Sequence, residues 1–165
     1  MKVIVTNSYD ETCAVIANMI KELVNAKPDA KLGLATGGTP VPIYKKLIEM
    51  NKAGEVDFSR VHTVNLDEYC GIPGTHDQSY RYFMDTNLFD HINIDKKNTF
   101  VGMGDILAAK KVVLAATGLA KVPAIKGLIM DDVITTQNPS TMLKMHEDAV
   151  VVIDRELADA VGYRA

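Results

Sequence analysis

The chain contains no tryptophan, only two cysteines among 165 residues, and 6% aromatic residues in all. Cys13 and Cys70 lack CxxC spacing, which excludes a disulfide scaffold and a cysteine zinc cluster. They read as reduced, buried thiols of a cytoplasmic protein. The histidines His62, His76, His91 and His146 form no HxxxH pair, so no metal is expected. Basic runs are missing too. Eighteen Lys plus Arg stand against 21 Asp plus Glu, a net charge of -3, and a nucleic-acid partner is disfavoured. No apolar stretch approaches the roughly twenty residues that span a bilayer, and no signal-peptide layout is seen, so neither membrane nor secretion is expected. Without a low-complexity linker or internal repeat, residues 1–165 read as a single domain.

What is present is an ordinary globular composition, 47% hydrophobic and 24% charged, in which apolar strands alternate with helical stripes. Residues 1–6 are a β-branched apolar run suited to a buried parallel strand. Ser8 and Glu11 have capping-box spacing ahead of Val15, Ile16, Met19, Ile20, Leu23 and Val24, and Pro28 closes that helix. A second strand at 32–35 runs into Thr36, Gly37, Gly38 and Thr39. Thr39 is the expected cap and Pro40 the first residue of a helix with Ile43, Tyr44, Leu47 and Ile48, stopped at Gly54. A third strand at 61–66 ends in Asp67, Glu68 and Tyr69, and Ser79 caps a helix with Tyr80, Phe83, Met84 and Leu88. Strand 111–117, helices 121–130 and 139–146, and strand 150–153 follow. The alternation predicts an α/β fold, a doubly wound, mostly parallel sheet with helices on both faces.

In such a sheet ligands bind outside the carboxyl ends of the strands, and three features fall there. Gly37 and Gly38 let backbone approach a ligand, Thr36 and Thr39 add hydroxyls, and the next helix offers unpaired N–H groups at its positive end. A phosphate or carboxylate suits this loop, and so does a plain strand-to-helix turn. Asp67 and Glu68 end an apolar strand beside a Gly/Pro loop, where a carboxylate can act as a general base or simply cap a helix. Lys121 stands in the first turn of a helix, where a cation opposes the dipole unless an anion is near. A solvated lysine is the ordinary alternative. His76, in the loop after the acidic pair, is within reach of a ligand there.

These residues carry a family pattern. L-A-T-G-G-T-P at 34–40, with Tyr44 and Leu47, resembles the phosphate loop of the glucosamine-6-phosphate deaminase (isomerase) family, and V-N-L-D-E-Y-C-G at 64–71 resembles its N-[ML]-D-E-Y-x-G segment. The loop through His76, Ser79, Tyr80, Phe83 and Met84, the V-G-M-G-D-I-L segment at 101–107, residues 118–121, and Pro139, Ser140, Leu143 and His146 match as well. The resemblance implies a shortened Rossmann-like deaminase/isomerase fold. It also implies that a large internal block is missing at a join between Asn98 and Gly102. That block holds G-x-G-x-x-G-H-I-A-F-N-E-P, with the histidine that opens the sugar ring, and later an arginine for the sugar phosphate.

By resemblance the protein converts glucosamine 6-phosphate to fructose 6-phosphate and ammonia in amino-sugar catabolism, without metal or organic cofactor. Asp67 matches the residue that moves a proton between C2 and C1, with Glu68 beside it. The 36–39 loop and Lys121 match the phosphate site, and His76 is a stand-in for the absent histidine. Loss of half of a cooperating acid/base set implies impaired turnover. The alternative is a non-catalytic sugar-phosphate-binding module. A 6-phosphogluconolactonase-like hydrolase fits the D-E-Y context less well. A lost strand exposes a sheet edge, and the expected remedy is a homo-oligomer.

Overall fold

A computed structural model describes residues 1–65, 67–101, 109–135 and 137–164, with the side chain of Val101 left aside. Its elements in chain order are β1 (Lys2–Thr6), α1 (Tyr9–Ala26), β2 (Lys31–Leu34), α2 (Val41–Lys52), β3 (His62–Asn65), α3 (Tyr80–Asn87), β4 (Thr99–Val101), β5 (Val112–Ala116), α4 (Val122–Ile129), β6 (Ala149–Asp154) and α5 (Arg155–Val161). The pairs between these strands are all parallel, as expected of an α/β chain. The chain divides into two compact units, Met1–Thr12 with Leu107–Ala165, and Cys13–Ile106. Each unit holds one three-stranded sheet among the described residues. No described helix is long and apolar enough to cross a membrane.

In the first unit the strand order is β1-β6-β5. Central β6 has a neighbour on each side, and Ala149, Val150, Val151, Val152 and Ile153 are all buried, which is why its sequence is an unbroken apolar run rather than an alternating one. Val151 and Ile153 join Ile125 and Leu128 of α4, Leu143, and Leu157 and Val161 of α5 in one core. The capping box forms as expected. Ser8 Oγ accepts from the Glu11 N–H (3.1 Å), and the Glu11 carboxylate accepts from the Asn7 N–H (2.6 Å), one residue before the usual partner.

The second unit builds on the order β2-β3-β4. Leu32 and Leu34 of β2 pair with Thr63 and Asn65 of β3, all four buried, while Lys31 and His62 face outward. Period-two burial of this kind belongs to a sheet with one covered face. Ile43, Tyr44 and Leu47 form the buried stripe of α2, with Gly54 (φ 74°) just past its end.

Several expectations are corrected. Cys70 is exposed, in the turn after Tyr69 rather than in an element, and only Cys13 is a buried thiol. Pro40, not Thr39, takes the N-cap place of α2: its φ of -79° suits the helical region, so the turn starts from its carbonyl, which accepts from the Tyr44 N–H (2.9 Å). Pro139–Met145 is a 3-10 helix, because the Thr141 hydroxyl bonds back to the Asn138 (2.7 Å) and Thr135 (3.2 Å) carbonyls and competes with an α ladder. β4 and α5 were not anticipated from the sequence. The final residue of the expected third strand, Leu66, and most of the V-G-M-G-D-I-L segment lie outside the described residues.

Leu128 is fully buried in the first unit's core. Leu128→Ala is expected to cost about 2–5 kcal/mol, read as a lower urea midpoint followed by circular dichroism.

Candidate functional site

The second unit places two loops together through strand pairing. Leu34 of β2 is in register with Asn65 of β3, and the buried Asn65 side chain donates from Nδ2 to the Leu34 carbonyl (3.0 Å). Chains leaving adjacent strands are about 4.8 Å apart at the start, so the 36–39 loop and Asp67 emerge side by side. Asn65 Oδ1 is buried without a partner among the described residues.

The 36–39 loop is fixed from behind. The Tyr44 hydroxyl, on the first turns of α2, donates to the Ala35 carbonyl (2.5 Å), and burial raises its phenol well above the usual range. Gly37 has a φ of 93°, a conformation that side-chain-bearing residues rarely adopt. Helix α2 then begins at Val41 with no side-chain bond at its cap. Its first N–H groups and the positive end of its dipole point at whatever the loop holds.

Asp67 is exposed. Its neighbour Glu68 is half-buried. The Glu68 carboxylate accepts from the N–H groups of Tyr69 (2.9 Å) and Tyr80 (2.8 Å) at Oε1 and of Arg81 (2.8 Å) at Oε2. Ser79, the N-cap of α3, accepts from the Tyr82 N–H (3.0 Å), so the first turn of α3 is satisfied by two side chains. Burial alone would raise the Glu68 carboxyl, but the N–H groups of Tyr80, Arg81 and Tyr69, helped by Ser79, outweigh it and hold it below the ordinary glutamate range. A carboxylate engaged in this way is suited to capping rather than proton transfer.

Sequence reasoning missed two tyrosines. The rings of Tyr69 and Tyr80 lie 4.9 Å apart and tilted by 38°, with their hydroxyls 3.4 Å from each other. The bond to Tyr69, with the Asp67 charge nearby, raises the Tyr80 phenol, and the Thr36 hydroxyl acts on it in the opposite sense. Thr36, Asp67, Tyr69 and Tyr80 therefore form one neighbourhood. No local pattern announces it, because Tyr80 is brought back by the Glu68 bonds.

Other expected residues are placed as follows. His76 is exposed, its Nδ1 accepting from the Gln78 N–H (3.1 Å). Lys121 is exposed in the first unit, at the cap of α4, after Gly118 (φ 83°) turns the chain. Arg81 is committed elsewhere: it donates to Asp85 (3.1 Å) and to Thr99 Oγ1 (2.8 Å), tying α3 to β4, and lies over the Phe89 ring (5.7 Å). Among the described residues no group of three His, Cys, Asp or Glu could hold a metal ion.

The model of the glucosamine-6-phosphate isomerase/6-phosphogluconolactonase family matches residues 6–105. A glucosamine-6-phosphate deaminase of Clostridium beijerinckii is 36% identical over 242 aligned positions, covering 98% of this chain and 100% of that protein. The chain belongs to this family.

Because that alignment reaches both ends yet spans more positions than the 165 residues here, family relatives carry interior residues that this shortened chain lacks. A Clostridium tetani glucosamine-6-phosphate deaminase is 59% identical over 101 residues, 61% of this chain and 42% of that protein. Among solved structures, a monomeric glucosamine-6-phosphate deaminase superposes with a TM-score of 0.91 at 24% identity, covering 97% of this chain and 100% of that one. A 6-phosphogluconolactonase from Thermotoga maritima gives 0.71 at 17%, covering 93% and 99%. These likenesses show the shared Rossmann-like fold.

Glu68 contributes stability as a charged acceptor. Its pKa is lower folded than unfolded, so this contribution is present above the unfolded value of about 4.3 and is lost as pH falls through the folded one. Urea titrations should show Glu68→Gln less stable than the parent by about 1–3 kcal/mol at neutral pH, with the gap closing as pH falls below the ordinary glutamate range.

Proposed function

We propose that this chain is a glucosamine-6-phosphate deaminase-like protein that retains substrate binding and slow proton transfer. The observation that carries the reading is the emergence of the 36–39 loop and Asp67 from paired strands, one offering N–H groups and hydroxyls to a phosphate, the other an exposed carboxylate. Thr36, Gly37, Gly38 and Thr39 would hold the phosphate at the N-terminus of α2. Lys121, matched in sequence to the family's phosphate lysine, stands in the other compact unit and is assigned no contact with this loop.

With the phosphate fixed, Asp67 takes the C2 proton of the open-chain amino sugar while O1 takes a proton from the substrate's own ammonium, giving an enolamine, and Asp67 then returns its proton to C1. The iminium now at C2 adds water and releases ammonia, leaving a ketose phosphate. Asp67 carries the proton between the two carbons and no electrons leave the sugar, so no redox partner is needed. The family's ring-opening histidine lies in the interior block absent here. Turnover is then limited by the small open-chain fraction of the free sugar, and the chain is expected to run orders of magnitude below a complete acid/base set. Glu68 is assigned to support rather than chemistry, and His76 remains a weak substitute in a solvent-exposed loop.

Calorimetry with glucosamine 6-phosphate, paired with an ammonia-release assay, tests this reading. The parent should bind and release ammonia slowly, and Asp67→Asn should bind within a few-fold of the parent while abolishing release. Binding with no release by the parent would make the chain a sugar-phosphate-binding module instead. Gly37→Ala, which forces a side chain onto a φ of 93°, should weaken binding about tenfold with the fold intact by circular dichroism.

A further inference from the structure

The Glu68 carboxylate joins two stretches of chain that the sheet does not connect. One is the backbone at 67–69, directly after β3, and the other is the first turn of α3, a dozen residues later. Oε1 receives two N–H groups and Oε2 a third at 2.8–2.9 Å, which fixes the carboxylate plane and with it the Glu68–Tyr69 peptide, one residue past Asp67. The same bonds fix Tyr80, the first residue of α3, whose ring returns to stack near Tyr69, beside Thr36 and Asp67. Ser79 caps only the Tyr82 N–H, so Glu68 completes the cap and, through its bond to Tyr69, ties that cap to the backbone leaving β3.

We propose that Glu68 is a positioning residue, whose bidentate clamp on the first turn of α3 holds the Asp67 carboxylate and the Tyr80 phenol in fixed relation to the phosphate loop. This inference rests on the proposed function for its substrate, and on the hydrogen bonds alone for its geometry. In the clamped state a sugar phosphate seated at α2 meets two preset groups, one to move the C2 proton and one to engage a sugar hydroxyl. Inorganic phosphate uses the loop alone and is indifferent to the clamp.

The test compares Glu68→Gln with the parent in three measurements. These are the ratio of affinities for glucosamine 6-phosphate and inorganic phosphate by calorimetry, the phenol titration assigned to Tyr80 as the tyrosinate absorbance lost in Tyr80→Phe, and the thermal midpoint. Met84→Ala, which removes a buried side chain from α3 away from its first turn, is the control for mere destabilisation. The proposal expects Glu68→Gln to shrink the affinity ratio about tenfold, the effect of one charge-assisted bond, and to bring the Tyr80 titration down toward that of an ordinary phenol. Met84→Ala lowers the midpoint and moves neither. If Glu68→Gln lowers the midpoint but leaves both the ratio and the titration where they were, Glu68 is a helix cap and the proposal is overturned. Should the parent fail to prefer the sugar phosphate, the functional reading is lost, and the Tyr80 titration still decides the clamp. Glu68→Asp, which keeps the charge with a shorter reach, is the second variant if the glutamine form does not fold, and the same two readouts apply.

Discussion

The parallel pairing of β2 with β3 is the constraint on which the candidate site depends. Two short strands in register, sealed by a buried asparagine that donates to the neighbouring backbone, deliver a glycine loop and an acidic residue to one edge. Neither loop needs to search for the other. The chemistry is then a matter of what each strand end carries, and burial of the shared face decides that Leu32, Leu34, Thr63 and Asn65 turn inward. A one-residue slip of β3 would reverse that inward face, and Asn65 would no longer reach the Leu34 carbonyl.

Support for these loops comes from side chains that do no chemistry of their own in the proposed reaction. Tyr44 anchors the approach to the phosphate loop by its bond to Ala35, and Glu68 anchors the departure from β3. Arg81 shows the same economy. Its guanidinium bridges Asp85 and Thr99 and so belongs to the frame between α3 and β4, not to an incoming anion. In a chain lacking the interior block of its relatives, the remaining groups are therefore divided between a small reactive set and a larger scaffold.

Much of this was legible in the sequence where the signal is local. The capping box at Ser8 and Glu11, the Ser79 cap and the stripe of α2 depend on spacings of three or four residues, and they formed as read. The apolar run at 150–153 announced a strand, and β6 formed there, buried along nearly its whole length. What escaped was either too short or too distant. Three residues of β4 show no period, and α5 offers only two turns after its Asp154 cap. Glu68 reads locally as one member of an acidic pair, and its partners twelve and thirteen residues away are fixed by tertiary geometry. Cys70 was misread because thiols are commonly buried, whereas a turn leading to a glycine with a φ of 86° leaves its side chain in solvent.

Two helices of the second unit begin near these loops, and they differ in what they offer. The amides at the head of α3 are already committed to an internal carboxylate and a serine hydroxyl, while α2 starts from Pro40, which makes no side-chain cap bond. The molecule has in effect neutralised one attractor for negative charge with its own side chain. On the proposed reading an anion is drawn to the head of α2 rather than to that of α3, which sets the direction in which a charged tail enters.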